Sequence, residues 1–265
     1  MEAKEEEFIV TEKWLAEMKA CEDGLRAFKH HFPNGGEALE VLERCVELSY
    51  GRFAKWLVYH LPPIYPPLEL NNLIGNLFYP NDVHIKGDMS TQGRIYIKGN
   101  LKVDGKLTVN KYGVVYLDKG CVNADEIDIS GYARIYSDTK ANSIIMSDYA
   151  VINGDTVANS ISLRDSVEIR GNTKAKIVNL DDCCINGNVD ADEIINNDGI
   201  IRGNVKTIKI QNIKYGYING NVDADEIINE GEIGGNVNTI KMESINGGMV
   251  YGNLNITYKR PDEHK

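Results

Sequence analysis

Six carboxylates, Asp190, Asp192 and Glu193 and then Asp223, Asp225 and Glu226, sit in two identical copies of GNVDADEII at 187–195 and 220–228. Such a cluster can ligate a divalent cation or supply an acid–base pair. Two copies would make two sites. Neither established calcium pattern fits: the Gly-rich nonapeptide period of one is absent, as are the Gly and the Glu at position 12 of the other.

Other chemistry is sparse. His30, His31, His60, His84 and His264 are scattered, and no serine is paired with a histidine. There is no phosphate loop. Cys21, Cys45, Cys121, Cys183 and Cys184 are odd in number, include one adjacent pair and form no CxxC. That pattern is neither a disulfide framework nor a zinc site, and it fits a reducing cytoplasm. The expectation is therefore no catalytic residue, no metal and no cofactor.

The carrier of the acids explains them better. Aligned on Gly187, a register recurs at Gly120, Ser137, Gly154, Gly171, Gly203, Gly220, Gly235 and Gly252, at spacings of 15 to 17 residues. Two places on stand Val122, Thr139, Thr156, Thr173, Val189, Val205, Val222, Val237 and Leu254, nearly all β-branched. Four places on, the residues are Ala or Thr; seven places on, Ile, Val or Met; two places before, Ile or Val. Side chains two apart on a strand share a face. The −2, +2 and +4 columns therefore face inward, with a bend near Gly-Asn. This describes a mostly β fold: a single-stranded parallel β-solenoid of about 16–17 residues per coil, its nine coils roughly 43 Å long.

Asp138, Asp155, Asn172, Asn188, Asn204, Asn221, Asn236 and Asn253 form a turn ladder one place after each register start. A second ladder, Asn196, Asn212 and Asn229, replaces Ile129, Met146, Leu163 and Leu180 of earlier coils and reads as a corner. In this lattice Lys206 and Lys209 lie between the two acidic coils, and Lys174 and Lys176 precede them. Cross-strand neighbours of opposite sign stabilise by about 0.2–1 kcal/mol. The acids read as surface charge on a repeat.

Candidate contact residues are Tyr132, Tyr149 and Tyr215 in one outward column, and Tyr136, Arg170, Arg202 and Tyr251 in another, because Tyr and Arg dominate protein hot spots. The net charge of −10 opposes direct nucleic-acid binding. No apolar run is long enough to span a membrane and the opening MEAKEEEFIV is not a secretion signal, so no membrane association and a cytoplasmic location are expected.

Residues 1–60 form a helical head. Trp14, Leu15, Met18, Cys21, Leu25 and Phe28 make one helical stripe, and Ala38, Leu39, Leu42, Cys45 and Val46, extending to Phe53 and Trp56, make another, split by FPNGG. Residues 61–82 follow as a Pro-rich linker and cap, 83–257 as the solenoid, off-period up to 119, and 258–265 as a charged tail that blocks the final edge. The head either caps the rod or serves as a partner-binding or homo-oligomerising element.

The I-x-G-N-V-x-A-D-E-I coils from about 120 to 256 resemble the bactofilins, bacterial cytoskeletal proteins. The resemblance implies a right-handed parallel β-helix that polymerises through its ends. The head, WLAEMKACEDGLRAF followed by FPNG, is similar to openings of phage and bacterial accessory proteins with solenoid repeats. The expected function is a non-catalytic protein-binding solenoid, a phage or mobile-element inhibitor of a host defence or nucleic-acid enzyme. The alternatives are a bactofilin-like self-assembling scaffold and a solenoid enzyme acting on carbohydrate.

Overall fold

The computed structural model describes residues 7–62 and 64–257. The charged tail at 258–265, His264 and the first six residues lie outside that range.

The β-branched columns form a parallel β-solenoid. Its first coil runs Leu68–Leu70, Leu73–Ile74 and Leu77–Tyr79, one short strand on each of three faces, and each pairs in parallel with the next coil. Pairing thus begins at Leu68, inside the stretch read from sequence as linker and cap. The off-period residues after Val83 form full coils as well. Val83 pairs with Leu101 and Leu101 with Val122, and a register shift between Tyr116 and Cys121 lengthens the repeat there. Twelve successive rungs, from Leu68 to Leu254, span about 53 Å at the usual strand spacing.

In later coils the first two faces fuse into one bent strand, such as Val189–Asn197, and the third is a two-residue strand, such as Ile200–Ile201. Along the long strand Val189, Ala191, Ile194 and Asn196 are buried, while Asp192 and Glu193 are consecutive outward residues. Those two mark the corner and shift the alternation by one residue. The columns seven and nine places after the register start therefore face inward.

From Val122 on, the variable spacing has one location. From the last inward residue of the long strand to the short strand, the chain takes five steps from Leu163 to Glu168 but four from Leu180 to Cys184 and three from Asn229 to Glu232. The turn absorbs the difference in its backbone: between Leu163 and Glu168 both Asp165 and Ser166 take positive φ, between Leu180 and Cys184 only Asp182 does, and between Asn229 and Glu232 no residue does. The three faces stay in register.

The third corner is closed by Gly-Asn. A Cβ on Gly203 would lie 2.3 Å from the Gly187 carbonyl oxygen, and the same holds for Gly220 against Gly203, so successive backbones touch there. Each following Asn or Asp accepts a bond from the backbone N–H one coil on: Asn204 N–H donates to Asn188 Oδ1 at 2.8 Å and Asn221 N–H to Asn204 Oδ1 at 2.9 Å.

The second asparagine ladder lines a corner of the coil from the inside. Asn196, Asn212 and Asn229 are fully buried. Asn196 Nδ2 donates to Asn212 Oδ1 at 2.7 Å, and Asn212 Nδ2 to Asn229 Oδ1 at 2.8 Å. Each amide also reaches a backbone carbonyl in its own turn, at Gly199, Gly216 or Gly231. Those glycines are required: a Cβ on Gly216 would sit 2.4 Å from Asn212 Oδ1. In earlier coils, where Met146, Leu163 and Leu180 fill the column, Ala150, Val167 and Cys183 occupy the turn position instead.

The head contains four helices, α1 (Glu12–Glu17), α2 (Glu22–His31), α3 (Ala38–Glu47) and α4 (Gly51–His60). Each apolar stripe is broken by a left-handed residue, Lys19 at φ 61° and Ser49 at φ 59°. Thr11 caps α1 by accepting from the Trp14 N–H. Glu37 caps α3 through the Leu39 and Glu40 N–H groups and also accepts from the Tyr65 hydroxyl at 2.8 Å, tying the head to the linker. No helix among the described residues is long and apolar enough to cross a membrane.

Candidate interaction surfaces

The repeated acids lie on the outer surface, and register decides their neighbours. Asp190 pairs across to Lys206 and Lys206 to Asp223, while Glu193 faces Lys209 and Lys209 faces Glu226. Lys174 Nζ lies 3.8 Å from Asp190 and Lys209 Nζ 3.9 Å from Glu193. Such exposed pairs contribute at most about 1 kcal/mol each. Among the described residues no group of three or more His, Cys, Asp or Glu side chains could hold a metal ion.

The seven tyrosine and arginine candidates do not form one site. Tyr132 and Tyr149 stack with their ring centroids 5.4 Å apart, and Tyr112 extends the stack at 5.5 Å. All three rings are exposed. Tyr112 escaped the sequence reading because it falls in the off-period coils; the register that pairs Val114 with Arg134 sets it opposite Tyr132. Tyr215 is 84 % exposed and stands several coils away from this stack. Tyr251 is exposed near the C-terminal end, its hydroxyl 3.9 Å from Met249 sulfur.

On the third face an outward ladder starts with aromatics: Phe78, Tyr96, Tyr116 and Tyr136, with centroids 5.2, 5.9 and 5.8 Å apart in turn. It continues in polar form. Arg170 bonds Glu168 at 2.8 Å and Asn153 at 3.1 Å, and Arg202 bonds Asn186, which also donates to Glu168. These contacts hold the Glu168 carboxyl below its ordinary range against the opposing cost of burial.

The head packs on this flank. α4 lies against the strands Leu77–Tyr79 and Arg94–Ile97. Lys55 Nζ sits 4.6, 5.1 and 5.7 Å from the ring centres of Tyr116, Tyr96 and Tyr59, a three-ring cation–π clasp. Lys98 Nζ donates to the Leu61 carbonyl at 2.6 Å. Burial pushes the Tyr59 hydroxyl well above its ordinary range, with Tyr116 adding to it.

Both end rungs leave apolar side chains in reach of solvent. At the first coil Ile74 is 88 % exposed and Leu68, Leu70, Leu73 and Leu77 are half-buried. At the other end Met249, Leu254 and Ile256 are exposed, and Asn253 is the last described rung of the Gly-Asn ladder.

Residues 77–174 match the family model described as bactofilin, polymer-forming cytoskeletal. That segment is bactofilin-like. It covers a little over a third of the chain, begins on the last strand of the first coil and takes in the off-period residues 83–119. The likeness read from the 120–256 repeats overlaps it over 120–174. No curated protein matches the chain, and no solved structure does.

Proposed function

We propose that this protein is a self-associating structural scaffold, whose copies meet through the end rungs of the bactofilin-like solenoid. The observation that carries this reading is the match of residues 77–174 to a polymer-forming cytoskeletal family, on a rod whose end rungs expose apolar side chains. An unpaired strand edge with apolar residues behind it is a template for another chain. The match favours the scaffold over a phage-encoded inhibitor of a host enzyme and over a solenoid enzyme acting on carbohydrate. The rod works by geometry alone: coils in fixed register give a stiff unit, and unit-to-unit contact extends it.

A second, lateral mode of contact fits the side of the rod. The Tyr112–Tyr132–Tyr149 stack is exposed and pre-ordered, and Tyr136, Arg170, Arg202, Tyr215 and Tyr251 offer further outward hot-spot types. In this reading such residues bind protein partners or neighbouring filaments.

Size-exclusion chromatography with light scattering, followed by negative-stain electron microscopy, tests the scaffold. Assemblies that lengthen with protein concentration are expected. A monodisperse monomer or small closed oligomer across the micromolar range would refute it.

A further inference from the structure

The four helices of the head enclose an open cleft of about 790 Å³. Its walls are apolar, built from Phe28, Phe32, Phe53 and Trp56. Its rim is basic. Lys19, Arg44, Arg52 and Arg94 line it with a single carboxylate, Asp23. Asp23 itself lies 3.8 Å from Arg26. Of the four cations only Arg44 has an ion-pair partner among the described residues, Glu47 at 2.8 Å. Arg94 comes from the solenoid. It reaches the rim because Gly51 is bare: a Cβ there would meet Arg94 Nη1 at 2.9 Å.

Three of these cations, Lys19, Arg52 and Arg94, have no ion-pair partner among the described residues, on a chain whose net charge is −10. Charge complementarity sets what such a rim attracts. The volume lies in the range of small-ligand pockets, and it takes a few large apolar side chains from one helical face rather than a whole helix. We infer that the head cleft is a docking site for an acidic amphipathic helix of a partner protein, its apolar side chains at i, i+3 or i+4 and i+7 seated on the aromatic wall and its carboxylates against Lys19, Arg52 and Arg94. This goes beyond the scaffold reading: the ends would build the filament, and the head would recruit clients along it.

The probe is a peptide selected from a displayed random 16-residue library on the full chain. The chain's two tryptophans, Trp14 and Trp56, are 6.1 Å apart, and Trp56 lines the cleft, so binding is read by intrinsic fluorescence. Selected peptides should be net acidic with apolar residues at helical spacing. R52E/R94E should weaken them by about tenfold or more, F53S comparably, and added salt should weaken them further. K19E/R52E, both exposed on the rim, serves if R94E unseats α4. Enrichment of neutral or basic peptides, no enrichment at all, or binding unchanged by charge reversal would overturn the inference. So would a site that takes laurate and no acidic peptide. Light scattering on the same samples reports end-to-end assembly separately, so failure of one reading leaves the other standing.

Discussion

Asn212 occupies the interior position that Leu163 and Leu180 fill in earlier coils, and its amide joins two other asparagines and the Gly216 carbonyl. Replacing it with Leu leaves Asn196 Nδ2 and Asn229 Oδ1 without that ladder partner, each at a cost of about 1–3 kcal/mol. Asn212→Leu should therefore lower the thermal midpoint followed by circular dichroism, although Leu is right for the same column elsewhere. An unchanged midpoint would show that the ladder contributes nothing. Gly203→Ala should cost about 1–3 kcal/mol or more, because its Cβ has no room against the Gly187 carbonyl. Asp190→Ala should cost under about 1 kcal/mol, since its lysine neighbours are solvated. The inward −2, +2 and +4 columns and the alternating charges were legible from sequence, because they follow a simple period of two. The buried asparagines were not. Two consecutive outward residues at the Asp192–Glu193 corner shift the phase, and nothing local in the sequence marks that shift.

At the scale of elements, the head and the rod are held together by the flank. Lys55→Ala removes a cation from three aromatic rings, a contribution of about 0.5–2 kcal/mol. Amide exchange in Gly51–His60 should then accelerate while the solenoid strands stay protected. Equal acceleration in both would mean that the head is integral to rod stability. The apolar stripes of the head were readable at the helical period, but the breaks at Lys19 and Ser49 were not, since neither residue is a strong breaker and only the left-handed backbone reveals them. The docking of α4 was equally invisible. It depends on Phe78, Tyr96 and Tyr116 aligning on one face, and their spacings of 18 and 20 residues fall outside the later repeat.

For the whole molecule, the rod is longer than its clear repeats suggest, because the coils from Leu68 to Val109 keep the pairing while losing the period. What repeats in those coils is backbone register, maintained by side-chain caps such as Asp82 Oδ1 accepting the Asn100 N–H at 2.7 Å, and such caps tolerate variable spacing. Ile194→Ala, in the middle of the stack, should cost about 2–5 kcal/mol and shorten the cooperative unit seen by amide exchange. The ends matter differently, since their exposed apolar residues add little to the fold. The most direct test of the scaffold reading compares the wild-type chain with L254K/I256K by negative-stain electron microscopy, with circular dichroism as a check on the fold. The account expects filaments from the wild type and dispersed short rods with unchanged β signal from the variant. Filaments that persist in the variant, or a wild type that never forms them, would contradict assembly through this end.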